Sequence, residues 1–207
     1  MNQEIKNDMP ENNLNLPVRK VCVIVERLIN ELQGSYGDDS ARLELNDLIG
    51  KFLNQQVHSG DADDYHDLAA ILGSGDEDIL ACNVLDCGLK YFPQDVDLLA
   101  DYLLYGPSCN GNKEYYTTQC QKYYEILSKI PKRLWTWRGF SFSINYLFNI
   151  KKCLATTDEE VDSLIDESLK IVHEYRKLFP KSEESYRIEA IIYKNSAKYK
   201  EKNSFPY

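Results

Sequence analysis

The sequence has no run of about 20 apolar residues, so no part of it reads as a membrane-spanning helix. Met1 to Asn15 is polar and lacks the basic-then-apolar order of a secretory leader, which predicts a cytosolic, cytoplasmic location. Positive charge is in deficit: 24 Lys and Arg stand against 33 Asp and Glu, a formal charge of −9. That balance argues against broad binding of nucleic acid or of an anionic membrane surface. None of the six cysteines, Cys22, Cys82, Cys87, Cys109, Cys120 and Cys153, forms a Cys-x-x-Cys pair. Most fall on apolar helical faces, so they read as reduced, buried thiols rather than three disulfides.

Recognisable reaction chemistry is also missing. His58, Asp61, Asp63, Asp64 and His66 bring metal-ligand types together, but at a spacing that matches no standard zinc site. They also span a helix start, where Asp is favoured for its own sake. His173-Glu174 lacks the second His of a zinc-protease helix, no Ser, His and Asp set is locally visible, and Gly106 to Gly111 precedes no Lys-Ser/Thr pair. These absences predict no cofactor, no metal and no enzymatic role. A chain of 207 residues suits one domain with a substantial core.

What is present is helical periodicity, clearest between Asp61 and Pro93. Tyr65, Leu68, Ala69 and Leu72 recur at spacings of three and four, and Ala81, Leu85, Gly88 and Leu89 do the same further on. Gly73-Ser74-Gly75 breaks the pattern between them, and Ser74 with Glu77 fits a capping box that restarts the helix. Pro93 ends the second helix, having no N–H and disfavouring helical geometry at Phe92. Ala69, Ala81 and Gly88 are small enough to let two antiparallel helices approach closely.

This order of aromatic, Leu-Ala, Leu, then Ala, Leu, Gly-Leu and Pro, over about 34 residues, resembles a tetratricopeptide repeat. The resemblance implies an all-α fold in which antiparallel helical hairpins stack as a short right-handed α-solenoid. Residues 1–16 read as a disordered lead-in, 17–200 as a single helical-repeat domain, and 201–207 as a tail. Within the domain, Val21 to Leu32 and Leu45 to Leu53 mark two helices that lack the repeat's aromatic and small-residue pattern. Repeats at 94–131 and 132–180 follow the clear one at 61–93, each closed by a proline. In the third, Trp137, Phe140, Ser141 and Ile144 occupy the order of Tyr65 to Leu72, which makes Trp137 a core residue. Thr157 and Glu160 form a second candidate capping box, and Ser168, Val172 and Tyr175 stand where Ala81, Leu85 and Gly88 stood. A terminal capping helix at 182–200 carries Tyr186, Ala190, Tyr193 and Ala197 on its packing face.

In the family resembled, the first helices of successive repeats line a concave groove that holds a peptide or a partner's helix. Carried onto this chain, the groove face is Trp135, Arg138, Phe142, Asn145 and Tyr146, followed by Glu184, Arg187, Ile191, Lys194 and Asn195. Family members that bind a chain-terminal carboxylate do so with Lys, Arg and Asn on this face. The resemblance therefore implies a non-catalytic protein-binding scaffold. Arg138, Arg187 and Lys194 would select an acidic or carboxylate-bearing protein or peptide partner, with Trp135 as an aromatic anchor. The clamp does not recur in the first repeat, where the matching residues are Asp63, His66 and Ala70. The alternative is a subunit docked into a larger assembly through exposed aromatic residues, and an enzyme assembled from distant residues stands third.

Overall fold

The computed structural model describes residues 16–34, 39–151 and 154–203. Among them are nine α-helices and no strand: α1 Val18–Gly34, α2 Asp39–Leu53, α3 Ala62–Ser74, α4 Asp78–Tyr91 and α5 Val96–Tyr105, then α6 Lys113–Lys129, α7 Trp137–Asn145, α8 Asp158–Leu178 and α9 Glu183–Asn203. A π-helical stretch, Tyr146–Lys151, continues α7. The expected lead-in falls almost wholly outside the described residues, as do Cys153 and 204–207, while α9 runs three residues past the expected end at 200. Among the described residues no helix is long and apolar enough to cross a membrane.

The helix starts are written in side chains that accept backbone N–H groups. Asp61 caps α3 in a reciprocal box with Asp64, Asp95 caps α5, Asn112 caps α6, Thr136 caps α7, and Thr157 caps α8 in the expected box with Glu160. Each such cap is worth about 1 kcal/mol. The box expected from Ser74 and Glu77 does not form. Ser74 Oγ instead donates back to the Ile71 carbonyl at 2.7 Å. Glu77 takes the cap position of α4 without a side-chain bond and pairs with Arg42 at 2.9 Å.

The buried rows repeat. Asp64, Tyr65, Leu68, Ala69 and Leu72 are buried in α3, and Leu98, Leu99, Tyr102, Leu103 and Gly106 are buried 34 positions later. The same spacing within the row returns 41 positions further on, in α7 and its extension, as Gly139, Phe140, Ser143, Ile144 and Leu147. On the intervening helices, Ala81, Val84, Leu85 and Gly88 of α4 match Cys120, Tyr123, Tyr124 and Leu127 of α6. In α8 they match Ser168, Ile171, Val172 and Tyr175. Helices α1, α3, α5 and α7 pack in succession, α3 on α1 and α5, and α5 on α7. Each of α3 and α5 also packs on its sequence neighbour, α4 or α6. One core cluster runs from Val18 to Ile192.

Side-chain size sets how near these helices come. A Cβ on Gly88 would lie 2.9 Å from Tyr65 Cγ, so α4 can approach α3 there only without a side chain. Among the described residues the free thiols face inward: Cys82, Cys87, Cys109 and Cys120 are buried, and Cys22 is half-buried. Cys82 and Cys109 place their sulfurs 3.6 Å apart.

Candidate functional site

The first-helix face carries a polar seam through three helices. His66 of α3 meets Asp101 of α5 through Nδ1 and Oδ2, and Asp101 is 2% exposed. Burial pushes the Asp101 carboxyl up, and the hydrogen bond to that carboxylate pushes the His66 imidazole up. Both directions keep a proton on the pair. Arg138 of α7 adds its positive charge to the same seam, opposing the proton on each. Tyr105 lies against Gly73, where an added Cβ would meet its ring at 2.2 Å, and burial pushes its hydroxyl up to about 12.

Beside this seam Trp137 is 48% exposed. The Arg138 guanidinium sits 5.1 Å from its ring centroid, and Phe142 meets it edge-on at 6.1 Å. An indole under a guanidinium offers a flat apolar wall next to a fixed positive charge.

The expected groove residues divide. Arg138, Phe142 and Asn145 are half-buried along α7. Trp135 is not an anchor: it is 3% exposed, donates Nε1–H to the Ile130 carbonyl at 3.1 Å, and is covered by Lys132, whose Nζ lies 3.1 Å from the ring centroid. Burial pulls the Lys132 amine down to about 8. Tyr146 is likewise buried, tilted against Tyr124 at 5.4 Å. Trp137, expected in the core, is the exposed indole. The cause is register: Thr136 caps α7 by accepting from Gly139 N–H, so Trp137 is the first helical residue and points away from the core. The core position falls four residues after the cap in α3, α5 and α7, at Tyr65, Leu99 and Phe140. That constant offset from Asp61, Asp95 and Thr136 was the sequence signal that the hydrophobic pattern obscured.

On α9, Arg187 is bound by Glu184 of its own helix at 2.5 and 2.7 Å, and Lys194 is exposed. Helix α9 packs chiefly on α8. Arg187 is therefore an internally compensated charge rather than a free member of a basic clamp.

The second-helix side holds an open cleft of about 490 Å³ between α4 and α6. Asp86 accepts from the hydroxyls of Tyr102 at 3.5 Å, Tyr115 at 3.1 Å and Tyr123, and Lys122 lies 4.9 Å over the Tyr123 ring. Burial pushes all three phenols up, so they remain donors. Cys87 lines the same cleft with its sulfur 3.8 and 3.7 Å from the two ring nitrogens of His58. Burial pushes the thiol up and the imidazole down, which is opposite to a thiolate–imidazolium nucleophile.

Asp61 and Asp64, weighed as metal-ligand types, are taken up by the α3 cap and by Arg19, which lies 2.6 Å from Asp64. Among the described residues no group of three or more His, Cys, Asp or Glu is placed to hold a metal ion. Compared with protein-family models, curated proteins and solved structures, the chain matches none of them.

Proposed function

We propose that the chain is a tetratricopeptide-like α-solenoid of helical hairpins that acts as a non-catalytic protein-interaction scaffold. Its first-helix face, from His66 through Asp101 to Arg138, receives a peptide or partner surface bearing a carboxylate. The buried rows of α3 and α5, 34 positions apart, support the repeat reading, because that is the period at which such helix pairs recur; the row of α7 keeps the same internal spacing after 41 positions. The observation that carries the binding role is the Trp137–Arg138 pair, an exposed indole stacked with a guanidinium. Trp and Arg are the residue types that dominate interface energetics. Trp137 takes the anchor role that the resemblance implies for Trp135. Arg138 would bind the carboxylate, and Phe142 and Asn145 would extend the contact along α7.

The test is a titration of tryptophan fluorescence with acidic peptides ending in a free carboxylate and with the same peptides amidated. The free acid should bind and change the emission of Trp137. Arg138→Ala should weaken binding by roughly 10- to 150-fold, the equivalent of about 1.5–3 kcal/mol for a charge-assisted bond. Equal affinity for acid and amide, with no effect of Arg138→Ala, would overturn the carboxylate reading.

A further inference from the structure

Two buried thiols touch where α4 meets the connection from α5 to α6. Cys82 belongs to α4, and Cys109 follows 27 positions later in that connection, with the two sulfurs 3.6 Å apart. They are 0% and 3% exposed. Cys109 Sγ also reaches the Tyr105 carbonyl at 3.6 Å. The neighbouring Cys120 is turned toward a different group, the Tyr102 carbonyl at 3.9 Å, and Cys87 faces the His58 ring.

We infer that Cys82 and Cys109 form a dithiol site that a small disulfide, of the class of oxidised glutathione, converts to a disulfide bond, stapling α4 to the α5–α6 connection. A disulfide holds its sulfurs about 2.05 Å apart, so the pair must close by roughly 1.5 Å. Cys109 is the member free to supply that movement. It follows a single 3-10 turn, Gly106–Ser108, in extended geometry at φ −68° and ψ 110°. Ser108, Asn110 and Gly111 around it are exposed. Cys82 is fixed within α4 beside the buried Ala81, Val84 and Leu85.

The same placement orders the chemistry. Local opening of a connection takes less energy than unfolding a packed helix, so the reagent meets Cys109 first. The Cys109 thiolate attacks one sulfur of the reagent, a mixed disulfide forms, and the first reagent thiol leaves with a proton. Cys82 then loses its proton, attacks the Cys109 sulfur and displaces the second reagent thiol. Two protein thiols are oxidised by two electrons, and one reagent disulfide is reduced to two thiols. The hydrogen bond shared with Cys109, and then burial, push the Cys82 thiol up. Capping Cys109 removes the larger of these two causes, which readies Cys82 for the second step. The product joins α4 covalently to the chain that leaves α5, the helix on which α4 packs.

The test treats the folded, fully reduced chain with oxidised glutathione, then unfolds it in acid and alkylates the remaining thiols. Cleavage after Lys90 and Lys113 and before Asp86 puts Cys82, Cys87, Cys109 and Cys120 on separate peptides. The peptides of Cys82 and Cys109 should lose both alkyl groups and appear joined. The oxidised chain should unfold at a higher urea midpoint, since the link restricts the unfolded chain, and dithiothreitol should return the midpoint to its reduced value. Cys120→Ala should leave the link in place, and Cys82→Ala should stop the reaction at a glutathione adduct on Cys109. Both thiols remaining alkylated in the wild-type chain would overturn the proposal, and that result needs no variant to fold. So would a wild-type adduct on Cys109 that never resolves, a link from Cys109 to Cys120, or a midpoint that fails to rise.

Discussion

Phe140 lies parallel to Tyr175, their ring centroids 5.1 Å apart and their planes within 5°. The pair spans α7 and α8 at the positions of the buried rows that Tyr65 and Gly88 hold in α3 and α4. In the earlier pair one ring covers a bare backbone, and in the later pair two rings share the space. Phe179 closes the later pair from the edge at 5.4 and 6.1 Å, and Ser182 Oγ donates to the Tyr175 hydroxyl at 3.0 Å. The same junction is thus built in two sizes, by close approach at one end of the chain and by aromatic filling at the other.

The close approach has a stability signature. Gly88→Ala would put a Cβ 2.9 Å from Tyr65 Cγ, with two further ring-side atoms at 3.0 and 3.1 Å. The change should destabilise the fold by about 1–3 kcal/mol through overpacking. Gly50 sits inside α2 with nothing within 4 Å of an added Cβ. There the same substitution should stabilise by roughly 0.5–1 kcal/mol, since Gly costs about that much in a helix interior. Urea unfolding of the two variants should move the midpoint in opposite directions, and a shared direction would refute the steric account.

The two indoles should separate in solution. Trp137, 48% exposed, should be quenched by acrylamide, and Trp135, 3% exposed, should not. Trp137→Phe should then abolish most of the quenching. Trp135→Ala should cost about 3–5 kcal/mol as a core truncation, whereas Trp137→Ala should cost less than about 1 kcal/mol as a surface change.

The His66–Asp101 pair makes stability depend on pH in a definite sense. The folded state holds the His66 proton more tightly than the unfolded chain does, and Asp101 is shifted in the same direction. The stabilisation is fully present below the unfolded histidine value of about 6.5. It is lost as pH rises through the folded value, with a slope of at most about 1.4 kcal/mol per pH unit for the one proton. Urea midpoints measured from mildly acidic to mildly basic pH should fall across that window. Asp101→Asn should flatten this fall, and an unchanged profile in that variant would remove the pair from the account.

Much of this architecture was legible in the chain. The spacing of Tyr65, Leu68, Ala69 and Leu72, the prolines after α4, α6 and α8, and the Thr157–Glu160 box all marked helices where helices occur. Two faces were misread, each for a physical reason. At the start of α7, aromatic residues at 135, 137, 140 and 142 satisfy more than one helical register, and only the Thr136 cap selects among them. In α9, the Tyr stripe looked more apolar than the serine stripe that is actually buried. Those serines satisfy their hydroxyls on nearby carbonyls of the chain, Ser185 on that of Ser182 just before the helix at 2.9 Å and Ser196 on that of Ile192 at 2.6 Å. Ser168 does the same on Leu164 at 2.7 Å. So bonded, a serine packs as a small apolar residue. The His66–Asp101 bond joins residues 35 positions apart and left no local trace.

The connection that leads from α5 into α6 offers an engineering route. The buried row of α6 lies 39 positions after that of α4, while the row of α5 lies 34 after that of α3, so the surplus falls between α5 and α6. Asn110, Gly111 and Asn112 are exposed there, and beside Gly111 an added Cβ would make only an ordinary 3.4 Å contact with Ile79. A span that already absorbs extra length without shifting either row is an address for foreign cargo. An epitope or a small reporter domain spliced after Asn110 would ride on the array while the Trp137–Arg138 face kept its shape.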